Sequence, residues 1–322
     1  MEYVNLGRSG LKVSPLCLGT MNFGPFTSEE DSFAIMDRAL EAGVNFFDSA
    51  NVYGQSAGRG ATETIVGNWF AQGGGRREKT VIATKLYGGM TDWPNDGLLS
   101  ALNIRKACDA SLKRLRTDYI DIYQAHHVDR GTPWEEFWEA MDVLRQQGKI
   151  VYVGSSNFAG WHLAKAQEAA RRRNSVGLIS EQSHYNLLNR AVELEVLPAA
   201  EDYGIGVIPW SPLGGGLLGG ILRKIDKGRS SSERMLVELD KHREKIEAYE
   251  KLCDDLGADP AHVALAWLLK QRAVAAPIIG PRTMEQFESS LPALEVKLDE
   301  AALAGLDEIF PGHRTAPEDY AW

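Results

Sequence analysis

The chain has 322 residues, 44% of them apolar and 25% charged, with a formal net charge of -9 and a sequence pI near 5.4. That length calls for two domains or for one of the α/β barrels that run long as a single unit, and the acidic balance, with no basic run beyond Arg171, Arg172 and Arg173, excludes a nucleic-acid footprint. No apolar run approaches the roughly 18 residues a membrane span needs, the first residues lack the charged start and apolar core of a signal peptide, and the widely spaced Cys17, Cys108 and Cys253 form neither a disulfide framework nor a zinc motif, so a cytoplasmic protein is expected.

The chain opens with EYVNL and LKVSP on either side of GRSG, the pattern of a β-hairpin over residues 1–15. Short β-branched or aromatic runs then recur at 16–19, 44–48, 80–84, 119–124, 150–154, 178–182, 206–210 and 276–279. Between them lie stretches of helical periodicity, such as Phe33, Ile35, Met36, Ala39 and Leu40, then Ile65, Val66, Trp69 and Phe70, and later Leu163, Ala166, Ala169 and Ala170. Strand and helix in alternation demand crossover connections and hence a parallel sheet; eight such units with no Pro, Ser or Gly linker favour one closed (β/α)8 TIM barrel domain over 1–322, ahead of an open doubly wound sheet. Two stretches exceed an ordinary βα loop, residues 214–243 and a C-terminal tail over 311–322.

In such a barrel the chemistry sits at the C-terminal ends of the strands. There the chain offers Asp48, Lys85, His126, Ser156 with Asn157, Gln182, and Trp210 with Ser211, from six consecutive strands. Taken singly, each has an ordinary reading: Asp48 as a cap, Lys85 reaching to solvent, His126 as a satisfied hydrogen-bonder. Their convergence on one rim points to a site.

The set suits proton donation to a carbonyl oxygen. A tyrosine hydroxyl titrates near ~10, and a nearby ammonium favours the phenolate and lowers that value. Lys85 can supply the charge to Tyr53, Asp48 can hold Lys85, and His126 can orient a carbonyl or share its proton. Gly154-Ser155-Ser156 is not a nucleophile elbow, and His126, His127 and Asp129 make no complete metal-ligand set, so no metal is expected.

From LGRSGLKVSPLCLGTMNFG to PIIGPRTMEQ, the sequence resembles the aldo-keto reductases, NAD(P)H-dependent carbonyl reductases built on a (β/α)8 barrel. The resemblance implies a catalytic tetrad of Asp48, Tyr53, Lys85 and His126, the family's spacing in QAHHVD selecting His126 over His127. It also implies that Ser156, Asn157 and Gln182 grip the nicotinamide carboxamide, that Trp210 offers its face to the ring, and that Gly19, Thr20 and Met21 lie against the cofactor. SPLGGGLL would carry the pyrophosphate through Ser211, Pro212, Leu213, Gly214, Gly216 and Leu217. Gly214, Gly216 and Gly219 spell G-x-G-x-x-G, but in this setting they read as a barrel loop whose bare backbone approaches phosphates, not as a Rossmann turn. After the last strand, Gly280, Arg282, Thr283 and Gln286 match the segment that holds the adenosine end, and Arg282 with Thr283 facing a 2′-phosphate argues for NADPH over NADH. Ser289 and Ser290 depart from the acidic residue and Asn common there, and Ser49 replaces a common Thr.

On the substrate side Phe23, Tyr87 and Trp93, with Met21, Asn22, Tyr320 and Trp322, are candidates for lining a pocket for a small carbonyl compound. Stretches such as GNWFAQGGGRRE and GSSNFAGWH resemble bacterial members of deoxysugar pathways that reduce nucleotide-linked 4-keto-6-deoxyhexoses. A second class is a cofactor-binding regulatory subunit like the channel-associated β-subunits of this fold. An isomerase or hydrolase on the same barrel finds no motif here, and oligomeric state is not legible.

Overall fold

A short antiparallel hairpin, β1 (Val4–Asn5) and β2 (Lys12–Val13), precedes the alternating part of the chain in the computed structural model, which describes residues 1–223 and 233–321. Then follow β3 (Cys17–Gly19), α1 (Glu29–Glu41), β4 (Phe46–Asp48), α2 (Ala61–Phe70), β5 (Val81–Leu86), α3 (Ala101–Leu115), β6 (Ile120–Ala125) and α4 (Trp134–Gln146). The alternation continues through β7 (Ile150–Ser156), α5 (Gly160–Arg171), β8 (Leu178–His184), α6 (Val196–Tyr203) and β9 (Gly206–Trp210). Two helices, α7 (Glu233–Asp255) and α8 (Pro260–Lys270), come before β10 (Ile278–Ile279), and α9 (Met284–Glu288), α10 (Glu300–Ile309) and α11 (Glu318–Ala321) complete the order.

Strands β3 to β10 are all parallel, in the order β10-β3-β4-β5-β6-β7-β8-β9. The two ends meet where the Val207 N–H donates to Ala273 O at 2.7 Å and the Ala275 N–H to Val207 O at 2.8 Å, so the sheet closes into the expected (β/α)8 barrel. Local sequence sets the helix starts. Ser28, Ser100 and Asp259 each accept a backbone N–H in the first turn of α1, α3 and α8, and Pro260 follows at a position where its missing N–H costs nothing.

Two apolar layers hold the barrel. Leu16, Phe47, Ile82, Tyr123 and Val153 face the helices and pack on residues such as Ile35, Trp69, Ile104, Trp138 and Leu163. Inside, Cys17, Phe46, Ile122, Ile179 and Ile208 fill the lower barrel, and Leu6 and Val13 of the hairpin belong to the same cluster. The hairpin therefore closes the floor and leaves the opposite rim to polar groups.

Two expectations change. The stretch 214–243 is not all loop: short 3₁₀ turns occupy Gly214–Gly216 and Ile221–Arg223, and α7 begins at Glu233, while 224–232 lie outside the described residues. The apolar stripe of α7, Met235, Leu239, Ile246, Tyr249 and Cys253, is one residue wide among charges, which hides it from a window average. The tail is tied down rather than loose. Arg190 Nη1 donates to Phe310 O at 2.6 Å, His313 N–H to Glu193 Oε2 at 2.9 Å and Ala316 N–H to Leu194 O at 2.9 Å. Tyr320 is 75% exposed, and Trp322 lies outside the described residues.

Candidate active site

Strand register brings the polar ends together. Gly19 pairs with Asp48, Lys85 with Gln124, and Ser156 with Gln182, so the ends of adjacent strands stand level at one rim. Lys85 is fully buried, and its Nζ donates to Asp48 Oδ2 at 2.6 Å, to Ser49 O at 2.8 Å and to the Tyr53 hydroxyl at 3.2 Å. The other Asp48 oxygen accepts from Gln182 Nε2 at 2.8 Å and Gln124 Nε2 at 3.3 Å. Tyr53 reaches this group because the chain turns sharply after it: Gly54 adopts φ 142°, and a Cβ there would stand 1.8 Å from Gly58 O. His126 meets the Tyr53 ring edge-on, centroids 5.9 Å apart at 78°.

Charge states follow from burial and neighbours. Burial alone would strip the proton from Lys85, yet Asp48 and Tyr53 outweigh it and hold the ammonium above its ordinary value. For Tyr53 the balance is the reverse of the sequence expectation. Burial, with Asp48 adding to it, outweighs the downward pull of Lys85, and the hydroxyl is raised. Tyr53 is therefore a protonated phenol at neutral pH, with an ammonium in reach to steady the phenolate it leaves. Burial, with Lys85 and His127 adding, pushes His126 down to about 3, so its imidazole is neutral.

Asp48, Tyr53 and His126 open onto a cleft of about 840 Å³. Its wall includes Ser156, Asn157, Gln182 and Trp210. The Trp210 Nε1–H donates to Asn157 Oδ1 at 3.1 Å, and the His184 ring stacks on the indole at 4.2 Å and 12°, which fixes the Trp210 plane. Gly19, Met21, Ser211, Pro212, Leu213 and Gly216 also line it, as do Gly280, Arg282, Thr283 and Gln286 beyond β10. Gly216 sits at φ 119°, open to glycine, and its N–H is spent on Leu213 O within the turn. The Arg282 guanidinium lies over the Phe26 ring at 4.0 Å. A cleft with an aromatic face, amide groups, a glycine loop and a guanidinium fits a nicotinamide dinucleotide.

Some expected residues lie elsewhere. Thr20 is buried, and its N–H and hydroxyl both donate to the backbone oxygen of Asp48, so it holds the end of β4 rather than lining the cleft. Leu217 is a core residue and Gly214 backs onto Leu188. Phe23 is fully buried, Tyr87 packs its ring on His127 at 5.3 Å, and Trp93 is 77% exposed; none of the three lines the cleft. His127 Nδ1 meets Val128 O, and Asp129 accepts from Leu99, Gly131 and Thr132, which leaves both occupied with their own loop.

The cleft also holds residues the sequence did not single out, Phe26, Met235, Ala261 and Pro281, together with Ser289 and Ser290, which it did. Phe26 carries no local motif; only its stacking with Arg282, 256 positions on, reveals it. Met235 was hidden with the start of α7. Ser289 and Ser290 both donate their hydroxyls to Gln286 O, so their side chains serve the end of α9 first. Glu181, buried in the barrel wall and paired with Ser155 across β7 and β8, was likewise passed over inside the run LISEQ.

Comparison with known proteins agrees with this geometry. The model of the aldo/keto reductase family matches residues 15–310. The chain is 53% identical over its whole length, and over the whole of the relative's, to an uncharacterised oxidoreductase, YrpG, of Bacillus subtilis. It is 34% identical to a versiconal hemiacetal acetate reductase of Aspergillus parasiticus, covering 98% of this chain and all of that one. It is also 34% identical to a probable voltage-gated potassium channel subunit beta of Arabidopsis thaliana, covering 99% of this chain and all of that one.

Proposed function

The chain belongs to the aldo/keto reductase family and is an oxidoreductase, and we propose that it reduces an aldehyde or ketone with NADPH, Tyr53 giving the proton. The observation that carries this reading is the buried Lys85 ammonium, 2.6 Å from Asp48 and 3.2 Å from the Tyr53 hydroxyl, beneath a cleft that also exposes His126. When bound, the cofactor supplies a hydride to the carbonyl carbon.

The chain's own residues do the rest. Tyr53 donates its proton to the carbonyl oxygen as negative charge develops there, and Lys85 stabilises the phenolate left behind. Asp48 holds Lys85 charged and aimed. His126, neutral, orients the carbonyl oxygen toward the Tyr53 hydroxyl. Ser156, Asn157 and Gln182 would hold the carboxamide of the nicotinamide, Gln182 giving one of its two amide hydrogens to Asp48. Trp210 carries the ring on the face that His184 leaves open.

NADPH rather than NADH is supported by Arg282, the cation among the described residues of the cleft wall, flanked by Thr283. Its neighbours belong to the adenosine end, so its charge serves the cofactor's phosphate and not the substrate.

The test is NADPH consumption by the purified chain against aldehydes, ketones and one nucleotide-linked ketosugar, with NADH in parallel. Turnover with NADPH on any of them supports the reading, and turnover on the ketosugar alone extends it to the deoxysugar class. Relatives named as channel β-subunits motivate a second reading, a cofactor-bound subunit that turns over slowly. Tight NADPH binding without turnover on the whole panel would shift the weight there.

A further inference from the structure

Glu181 is a carboxyl group buried completely in the barrel wall, and the groups that meet it are neutral donors. Oε2 accepts from the Ser155 hydroxyl at 2.5 Å; Oε1 accepts from the Phe158 N–H at 3.0 Å and the Ser183 hydroxyl at 2.8 Å. Burial pushes the carboxyl up to about 7 while those hydrogen bonds hold it down. A buried carboxylate without a cation is costly, and a fold retains one where its hydrogen bonds fix something.

The fixed element is the connection from β7 to α5. Phe158 N–H belongs to the peptide that leaves Asn157, and Asn157 stands at φ 58°, a left-handed conformation that asparagine tolerates better than most L residues and that the Phe158–Glu181 bond holds from one side. On its other side the Asn157 N–H donates to Gln182 O at 3.0 Å, and its Nδ2 to His126 O at 3.1 Å and Ser156 Oγ at 3.0 Å. Its Oδ1 accepts from Trp210. One side chain thus ties together the backbone of His126, the plane of Trp210 and the hydroxyl of Ser156, and Glu181 clamps the turn that aims it.

We propose that Glu181 is a positioning residue for cofactor binding, holding the turn after β7 so that Asn157 Oδ1 and Ser156 Oγ, whose own donors are engaged within the protein, stand as acceptors for the nicotinamide carboxamide. The inference rests on the NADPH reading above. Glu181 does not line the cleft, so it acts through Asn157 and touches neither cofactor nor substrate.

The experiment measures NADPH dissociation constants by fluorescence titration, and kcat at saturating NADPH, for the full chain and its variants. Glu181→Ala leaves Phe158 N–H and two hydroxyls without an acceptor and should raise the NADPH constant at least about tenfold, with kcat at saturation within about threefold. Glu181→Gln keeps one oxygen for Phe158 N–H and Ser183, and should return the constant to within about threefold of the parent. Because the effect passes through Asn157, adding Glu181→Ala to Asn157→Ala should weaken NADPH no further than Asn157→Ala alone. An NADPH constant unchanged in Glu181→Ala, or full additivity with Asn157→Ala, overturns the proposal. Should Glu181→Ala fail to fold, the pair Ser155→Ala with Ser183→Ala removes two of the three donors and must raise the constant in the same direction; no change there also overturns it. A parent chain that binds no NADPH defeats the cofactor reading itself, a result distinct from either.

Discussion

Replacing Lys85 by Met removes the ammonium while keeping most of the side chain's volume. Asp48 is then a buried carboxylate with two glutamine amides for company, at 2.8 and 3.3 Å, and no counter-charge. Removing one partner of a buried ion pair costs about 3 to 5 kcal/mol. For 322 residues and an unfolding entropy of roughly 2.1 cal/mol/K per residue, that lowers Tm by about 4 to 7 °C. Asp48→Asn, which strands the charge on Lys85, should cost a similar amount. The two residues are in contact, so Asp48→Asn with Lys85→Met should be less damaging than the sum of the single changes by about 2 kcal/mol. Activity should follow a different rule. Proton donation contributes about 100-fold to 10,000-fold to a reaction of this type, so Lys85→Met and the double variant should both lose at least about 100-fold in kcat with no recovery in the pair. Calorimetry and steady-state NADPH consumption on the same four proteins separate the two effects. If the stability losses simply add, or Lys85→Met keeps kcat within about threefold of the parent, the ion pair is not the support for Tyr53 argued above.

Tyr53→Phe preserves the ring that meets His126 and Lys85 but removes the proton; NADPH binding should persist while kcat falls by at least about 100-fold, and equal turnover would remove Tyr53 from its role. His126, with a folded value of about 3 against an ordinary 6.5, stays neutral down to strongly acid pH. The unfolded chain takes up that proton first, so the stability tied to neutral His126 is complete above the ordinary value and drains away as pH falls from 6.5 toward 3. An NMR titration of His126 with a midpoint near 6.5 would contradict this, as would a rate profile governed by it there. Arg282→Ala should raise the NADPH KM by roughly tenfold to a hundredfold and leave NADH nearly unchanged, since a charge-assisted bond is worth about 1.5 to 3 kcal/mol. Equal losses for both cofactors would argue that Arg282 does not meet the 2′-phosphate.

The barrel was legible because its strands are short apolar runs at regular spacing, each observed within two residues of its expected bounds. The meeting of Asp48, Lys85 and His126 at one rim was legible because strand ends carry the chemistry of this fold: Asp48 ends such a run, Lys85 follows one directly and His126 stands two residues past one. What escaped depends on contacts between distant positions. Thr20 and Leu217 sit in motif segments but turn inward, a direction that backbone geometry decides. Phe23 and Phe26 are two aromatics three residues apart: one is fully buried and the other stacks on Arg282, and their local sequence gives no reason to choose. Tyr53 was expected to have a lowered value because Lys85 was counted and burial was not.

On the proposed reading, Asp48 couples the proton donor to the cofactor wall. Its backbone oxygen is held by Thr20 through two hydrogen bonds, at 2.9 and 2.8 Å, and its carboxylate by Lys85, Gln182 and Gln124. One carboxylate oxygen faces Lys85 and through it Tyr53; the other faces Gln182, a residue of the cleft wall. A carboxylate accepts along both edges, whereas an amide in its place accepts on one side only and presents a donor on the other. In Asp48→Asn, therefore, whichever way the amide turns, either Lys85 or Gln182 faces a donor. Such a variant should weaken NADPH binding and proton donation together, while Tyr53→Phe weakens the second alone. That contrast between two changes on the same short loop follows from Asp48 serving two strands at once.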